Sequence, residues 1–129
     1  MPKVFDSSAV LAFLYDEPGG EKVRPYLPTG VISAVNAAEV LAVLVRKGAP
    51  LEDAELALQK TQVQVLDFSL AGAVKTAGIM SPQMRERVLS LGDRSCMATA
   101  LLLGLPVVTG ERNWIGLDVP GLQIELIRS

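Results

Sequence analysis

The sequence predicts an α/β fold, in which a five-stranded, mostly parallel sheet is flanked by helices. Short apolar runs with the composition of buried strands alternate with longer runs of helical periodicity, and Gly or Pro stands at most boundaries between them. This alternation is typical of a parallel sheet with helices on both faces. At 129 residues, half of them hydrophobic, the chain is expected to form one domain that spans residues 1–129.

The individual elements follow from periodicity and from punctuating residues. Strands are expected at residues 3–6, 30–34, 63–68, 106–110 and 122–127. Helices are expected at residues 7–15, 21–27, 36–47, 50–62, 69–80 and 92–104, with further helix after Pro82. Gly48 and Gly104 each end a helix, and Pro50 stands in the first turn of another.

The absence of histidine narrows the possible chemistry. It excludes a Ser-His-Asp triad, a Cys-His pair, a paired-histidine ribonuclease site and a histidine-ligated zinc ion. The single cysteine, Cys96, excludes an intramolecular disulfide and is expected to be a small core residue. The net charge of −2 gives no sign of a nucleic-acid binder. No apolar run reaches the ~18 residues of a membrane span and no signal sequence begins the chain, so a cytoplasmic location is expected.

Four acidic residues are expected at one edge of the sheet. Right-handed crossovers place the carboxyl ends of parallel strands and the N-termini of the following helices on the same edge. Asp6 ends the first strand, and Glu39 lies in the first turn of the helix after the second strand. Asp93 opens the helix that runs back toward the fourth strand, and Glu111 follows that strand by two residues. The fold therefore gathers four carboxylates from distant parts of the chain.

Each of these acids also has a purely structural interpretation. Asp6 and Asp93 would serve as helix N-caps, Glu39 would complete a capping box with Asn36, and Glu111 would favour a helix dipole. As a group they are harder to explain in this way, because clustered carboxylates repel one another unless they are protonated or neutralised by a cation. A hard divalent ion with oxygen ligands, Mg²⁺ or Mn²⁺, is the usual partner of such a cluster.

Four stretches of the chain carry a resemblance to a known family: FDSSAVLAFL, ISAVNAAEVLAVL, LSLGDRSCMATALLLGLPVVTGERNW and QIELIRS. In order and spacing they resemble the PIN-domain ribonucleases, and specifically the VapC-type toxins of bacterial toxin-antitoxin pairs. The resemblance implies that Asp6, Glu39 and Asp93 bind divalent metal and that a fourth acid, normally Asp, follows the strand ending in Thr. Glu111 occupies that place. Its longer side chain leaves three alternatives open: metal ligation, support of the other ligands, or no catalytic part.

The resemblance also implies an activity and partners. The expected reaction is endonucleolytic cleavage of RNA by water that Mg²⁺ or Mn²⁺ activates, and the expected assembly is a homodimer. A VapB-type antitoxin is expected to wrap the apolar helices near residues 9–26 and to block the acidic edge.

Further polar residues lie beside the candidate acids in the sequence. Ser7, Asn36 and Thr109 are placed to hydrogen-bond metal ligands or waters, although capping or strand-end packing explains them equally well. Arg94 and Arg112 each follow a candidate acid by one residue. They are expected to contact RNA phosphates or, alternatively, to form salt bridges with neighbouring acids.

Three other functions compete with this interpretation. A phosphatase of the haloacid dehalogenase class needs a second Asp two residues after the first, where this chain has Ser8. A receiver-like signalling domain needs an adjacent acidic pair near the first strand and a Lys after the last strand, and the sequence has neither. The third is a catalytically weak or non-toxin PIN-like module that binds RNA or a partner without cleaving, which the Glu at position 111 keeps open.

Overall fold

A five-stranded parallel sheet forms the centre of the molecule. The computed structural model describes residues 2–79 and 89–128. The strands are β1 (Val4–Phe5), β2 (Val31–Ser33), β3 (Gln64–Leu66), β4 (Val107–Thr109) and β5 (Ile124–Leu126). Their order across the sheet is β3-β2-β1-β4-β5, and every pairing is parallel. This confirms the expected fold class. The order differs from the 2-1-3-4-5 arrangement of receiver domains, which argues against that alternative.

Six α-helices are present in the described residues. They are α1 (Ser7–Leu14), α2 (Gly20–Val23), α3 (Ala34–Arg46), α4 (Leu51–Lys60), α5 (Leu70–Gly78) and α6 (Leu91–Leu103). The helix expected at 21–27 is divided into α2 and a 3₁₀ segment at Arg24–Thr29, because Pro25 and Pro28 cannot donate the hydrogen bonds of an α-helix. A second 3₁₀ segment covers Arg112–Trp114. The helix expected after Pro82 begins outside the described residues.

The two faces of the sheet support two separate apolar cores. Successive strand residues alternate between them: Phe5 and Ile32 belong to one core, whereas Val4 and Val31 belong to the other. The first core takes buried residues from α1, α3 and α4, and the second takes buried residues from α6. Helices therefore cover both faces, as the strand-helix alternation predicts.

The second core also contains Cys96 and Trp114. The thiol of Cys96 is fully buried and unpaired, which confirms its interpretation as a core residue. The indole of Trp114 is equally buried and anchors the 3₁₀ segment after β4. Among the helices that the structure describes, none is long and apolar enough to cross a membrane.

Candidate active site

Asp6 lies at the centre of the acidic edge, directly after β1. Its side chain is only 2% exposed. Carboxylate oxygen Oδ2 accepts hydrogen bonds from Ser8 Oγ at 2.6 Å and from Thr109 Oγ1 at 2.9 Å. Asp6 occupies the N-cap position of α1, yet its side chain makes no capping hydrogen bond to the helix. Capping therefore does not explain why this position carries a carboxylate.

The electrostatic surroundings of Asp6 identify its neighbours. The pKa of Asp6 is raised from 3.8 to about 6, chiefly by burial; the charges of Asp93 and Glu39 add to this rise, and the hydrogen bonds from Ser8 and Thr109 oppose it. Burial also raises the pKa of the Cys96 thiol, with the same three carboxylates adding to the effect. Asp6, Glu39 and Asp93 therefore lie close enough to repel one another.

No basic side chain neutralises this cluster within the part of the chain that the structure describes. The ion pairs found there are Lys3 with Glu125, at 2.5 Å, and Arg128 with Glu17, at 3.6 Å. Lys3 and Arg128 are thus paired with acids outside the group of Asp6, Glu39 and Asp93. The three carboxylates thus lie together without an ion-paired basic side chain among the described residues.

Glu39 is positioned by α3, which begins two residues earlier than expected. Ser33 caps this helix, with its Oγ accepting from the Asn36 N–H at 3.1 Å, so Glu39 lies beyond the first turn. The capping box expected between Asn36 and Glu39 is therefore wrong. Instead, Glu39 Oε1 accepts from Asn36 Nδ2 at 2.9 Å and from Ser7 Oγ at 3.1 Å.

Asn36 and Gly92 bring α3 and α6 together beside Glu39. Asn36 is fully buried, accepts a hydrogen bond from Ser33 Oγ at 2.6 Å and donates one to the Gly92 carbonyl at 3.0 Å. A Cβ atom at Gly92 would collide with the carboxylate of Glu39. The glycine thus permits the close approach that places Asp93, the next residue, near the other two acids.

Asp93 combines a structural role with its place in the cluster. It lies in the first turn of α6 and forms a capping box with Ser90, whose Oγ accepts from the Asp93 N–H at 3.0 Å. Asp93 Oδ2 accepts from the Ser90 N–H at 3.4 Å. The residue therefore does cap, although at the third helical position and not at the N-cap. Its other oxygen, Oδ1, makes no hydrogen bond with a described residue.

Glu111 is placed differently from the other three acids. It is exposed, it precedes the short 3₁₀ segment, and its side chain makes no capping hydrogen bond. Its backbone N–H donates to Thr109 Oγ1 at 3.0 Å, but its charge is not among those that raise the pKa of Asp6. The structure therefore brings together three of the four predicted acids and leaves the carboxylate of Glu111 outside the cluster.

The two predicted arginines differ in burial. Arg112 is exposed, whereas Arg94 is partly buried and its Nε atom is buried without a hydrogen-bond partner among the described residues. Neither arginine forms an ion pair with a described residue, so the alternative of a salt bridge to the neighbouring acids is not observed there.

The carboxylates do not form a ready-made metal site. Within residues 2–79 and 89–128, no three acidic or cysteine side chains converge into a group that holds a metal ion as they stand. Asp93 is turned toward Ser90, and Glu39 is held by Ser7 and Asn36. The donors nonetheless fit a hard divalent cation, because they are all oxygens and their mutual repulsion lacks a compensating charge. A cation would therefore have to draw these side chains closer together.

Sequence reasoning missed several residues that organise this site. Ser8 bonds Asp6, Ser33 caps α3, Ser90 caps α6, and Gly92 makes room for Glu39. The capping residues have a detectable signal in the sequence, since Ser33 and Ser90 each stand three residues before a polar residue, Asn36 or Asp93, that can hydrogen-bond back to the serine. Gly92 has no such signal, because its importance depends on the packing of two helices.

Comparisons with known proteins agree with this architecture. A family model described as the PIN domain matches residues 3–119. A toxin-antitoxin complex from Klebsiella pneumoniae has a similar chain, with a TM-score of 0.74, 19% identity and 98% of each chain covered. VapBC from Salmonella typhimurium, bound to DNA, gives a TM-score of 0.73 at 21% identity, with 98% of this chain and 99% of that chain covered.

VapBC-1 from nontypeable Haemophilus influenzae is similar to the same degree, with a TM-score of 0.73, 18% identity and 98% of each chain covered. No curated protein matches the chain with statistical significance. At these identities the solved structures establish a shared fold. The family model covers most of the sequence, and it includes Asp6, Glu39, Asp93 and Glu111. This chain therefore belongs to the PIN domain family.

Proposed function

We propose that the protein is a metal-dependent endoribonuclease that acts as the toxin of a VapBC-type toxin-antitoxin pair. The observation that carries the proposal is the cluster of Asp6, Glu39 and Asp93, three carboxylates without a neutralising cation at the carboxyl edge of a PIN-domain sheet. A chain without histidine has few other groups for hydrolysis. Clustered carboxylates at this position are explained by a divalent cation better than by capping.

The roles of the residues follow from their contacts. Asp6 and Asp93 are the proposed ligands of Mg²⁺ or Mn²⁺, with Glu39 as a ligand or as support through water. Such an ion, when bound, supplies an activated water and positive charge beside the phosphate. Ser7 and Asn36 fix the orientation of Glu39, and Thr109 donates a hydrogen bond to Asp6, as polar groups behind metal ligands generally do. Glu111 is proposed to act only through an altered side-chain rotamer or in contact with substrate.

Arg94 and Arg112 are the proposed contacts to RNA. Arg94 directly follows Asp93, forms no ion pair with a described residue and has a buried Nε without a partner there. A phosphate group that reaches the partly buried guanidinium of Arg94 would neutralise its charge. Binding of RNA by an acidic protein then depends on these local charges and on the divalent cation.

The proposed partners are a VapB-type antitoxin and a second copy of the chain. Support for the antitoxin comes from the solved structures with the same fold, which include toxin-antitoxin complexes. An open groove of about 390 Å³ lies beside α2 in the region expected for antitoxin binding, and Phe5, Val23 and Tyr26 contribute to its lining. The exposed apolar side chains of Leu70 and Val74 on α5 support a homodimer.

Cleavage of total RNA by the purified protein, free of antitoxin, tests the proposal. We expect cleavage with Mg²⁺ or Mn²⁺ and none with EDTA. Asp6→Asn and Asp93→Asn should abolish it, whereas the matched control Asp53→Asn, at an exposed position on α4, should leave it unchanged. Full cleavage by Asp6→Asn, or cleavage in EDTA that equals cleavage in Mg²⁺, would contradict the proposal.

A second candidate function is RNA or partner binding without cleavage. It is favoured by the position of the Glu111 carboxylate outside the cluster and by the lack of a convergent metal-binding group among the described residues. This candidate predicts that the wild-type protein shifts labelled RNA in a gel in the presence of Mg²⁺ and leaves it intact. The same RNA in the cleavage assay distinguishes the two functions.

A further inference from the structure

Two hydroxyl groups bind the same oxygen of Asp6. Ser8 Oγ donates to Oδ2 at 2.6 Å, and Thr109 Oγ1 donates to the same atom at 2.9 Å. Ser8 is on α1 and Thr109 ends β4, so the two hydroxyls reach Asp6 from different elements. Their oxygens are 3.2 Å apart. Asp6 Oδ2 is therefore occupied by two donors.

Each hydroxyl also receives a backbone hydrogen bond from the segment after β4. The Gly110 N–H donates to Ser8 Oγ at 2.9 Å, and the Glu111 N–H donates to Thr109 Oγ1 at 3.0 Å. A hydroxyl has one proton to donate, and an N–H that points at its oxygen leaves that proton free for the carboxylate. Two parallel chains of hydrogen bonds thus run from residues 110 and 111 to one oxygen of Asp6.

The segment after β4 is packed tightly enough to serve as a fixed support. A Cβ atom at Gly110 would lie 2.7 Å from Nη2 of Arg128, so the guanidinium group packs directly on the glycine. Arg128 is held in turn by the Pro18 carbonyl at 3.3 Å and by Glu17 at 3.6 Å. Residue 110 is therefore bonded to Ser8 through its N–H and packed against Arg128.

The two adjacent serines of α1 serve different carboxylates. Ser7 donates to Glu39 Oε1 at 3.1 Å, whereas Ser8 donates to Asp6. Consecutive residues of a helix project about 100° apart, which allows the first turn of α1 to reach both acids. Asp6 Oδ1 makes no hydrogen bond with a described residue. It is the oxygen that remains available for a ligand.

We propose that Ser8 is a positioning residue that clamps Asp6 Oδ2 to the segment after β4, so that Asp6 offers only Oδ1 to a divalent cation. The inference rests on the proposed metal-dependent function and extends it to a residue and a mode of ligation. Thr109 alone does not fix the carboxylate, because a single donor still permits rotation of the group about that bond. The second donor from α1 defines the plane of the carboxylate.

Binding of Mn²⁺ to Ser8→Ala, measured by calorimetry and electron paramagnetic resonance without RNA, tests this role. We expect affinity to fall by about 10- to 100-fold, the usual effect of removing a group that orients a metal ligand. Ser8→Thr keeps the hydroxyl and should restore most of the affinity. The control Thr99→Val removes a hydroxyl that bonds only within α6, at 2.9 Å to the Ser95 carbonyl, and should leave affinity unchanged. If the Ser8→Ala variant does not fold, Ser8→Cys takes its place in this measurement.

A second measurement separates this inference from the proposed function. In metal-free protein, loss of the acceptor at position 8 should speed hydrogen exchange at the Gly110 amide, while Ser8→Thr keeps the wild-type rate. Equal Mn²⁺ affinity in wild type and Ser8→Ala, or no recovery in Ser8→Thr, would overturn the positioning role. An unchanged Gly110 exchange rate would also overturn it, even when the wild type binds no Mn²⁺ and the proposed function itself fails.

Discussion

The ends of β1 and β4 are neighbours in the sheet, yet they hold their acidic residues in opposite ways. The strands pair in parallel, with Val4 beside Val107 and Phe5 beside Val108. Asp6 follows β1 directly and is almost fully buried, whereas Glu111 follows β4 by two residues and is exposed. The first residue after a central strand, such as Asp6, is still as buried as the strand. The second residue after a strand, such as Glu111, already reaches solvent.

The contrast extends to hydrogen bonding. Asp6 is fixed by two hydroxyls, while the carboxylate of Glu111 makes no bond with a described residue and only its backbone joins the network. Ordering of the Asp6 side chain is completed during folding, so binding of a cation there costs little further entropy. Glu111 would have to be ordered at the moment of binding, which opposes its use as a ligand.

The largest expected effect is on catalysis, from substitution of Asp6, the buried acid after β1. Asp6→Asn should lower kcat/KM for RNA cleavage by about 1000-fold, because removal of a charged ligand forfeits several kcal/mol of stabilisation in the transition state. Single-turnover cleavage of a short labelled RNA at saturating Mg²⁺ measures this effect. A loss of less than tenfold would contradict the distinction between the buried Asp6 after β1 and the exposed Glu111 after β4.

The second prediction concerns stability without metal. The pKa of Asp6 is about 6 in the folded protein, against 3.8 for an aspartate without such surroundings. An acid whose pKa is higher in the folded protein binds its proton more tightly there. The contribution of Asp6 to the free energy of unfolding is therefore most favourable below pH 3.8 and is lost as pH rises through about 6. Asp6→Asn should therefore stabilise the metal-free protein at pH 8 by about 1–3 kcal/mol, and by much less at pH 4.

Urea unfolding in EDTA at pH 4 and pH 8 measures this change. The matched substitution Glu111→Gln should leave the free energy of unfolding unchanged at both pH values, because that carboxylate is exposed and is not part of the cluster. Equal stabilities of wild type and Asp6→Asn at pH 8 would show that burial of Asp6 carries no energetic cost.

Most of the fold could be predicted because it depends on local patterns. The VFD and VVTG segments place an apolar run directly before a helix or a turn, and both form strands at the expected positions. The sequence predicts the beginning of α3 two residues too late, because Ala34 and Val35 continue the apolar run of β2 and only the side chain of Ser33 marks the change to helix. Helical periodicity at residues 21–27 does not distinguish an α-helix from the 3₁₀ segment that Pro25 and Pro28 impose.

The contacts within the site were less predictable. Three acids gather as the strand order requires, but the hydrogen bonds of Asn36 and the space at Gly92 arise from the approach of α3 to α6. The sequence predicts that Asn36 bonds a metal ligand, but neither its bond to the Gly92 carbonyl nor the space at Gly92 has a signal in the neighbouring residues. The position of Glu111 also depends on the turn after Thr109, where Gly110 packs against Arg128 from the far end of the chain.

The third prediction tests how tightly the buried part of the edge is packed. Gly92→Ala adds a methyl group where the Glu39 carboxylate lies, and it should destabilise the protein by about 1–3 kcal/mol, the usual cost of overpacking. Gly78→Ala at the end of α5 serves as the control, because a Cβ atom there would meet no described residue within 4 Å. Thermal unfolding measures both, and a Gly92→Ala variant as stable as Gly78→Ala would show that Glu39 moves aside freely.

The smallest effect is expected at the exposed end, from Glu111→Gln. Because its carboxylate makes no hydrogen bond or ion pair with a described residue and its charge is not among the causes of the raised Asp6 pKa, we expect the substitution to change Mn²⁺ affinity by less than about threefold, well under the effect of groups that orient metal ligands. Calorimetric titration of metal-free Glu111→Gln measures this, with Glu111→Asp as the conservative variant. A tenfold loss in Glu111→Gln that Glu111→Asp reverses would show that the segment after β4 closes on the ion. The difference between the ordered acid after β1 and the exposed acid after β4 would then exist only in the metal-free protein.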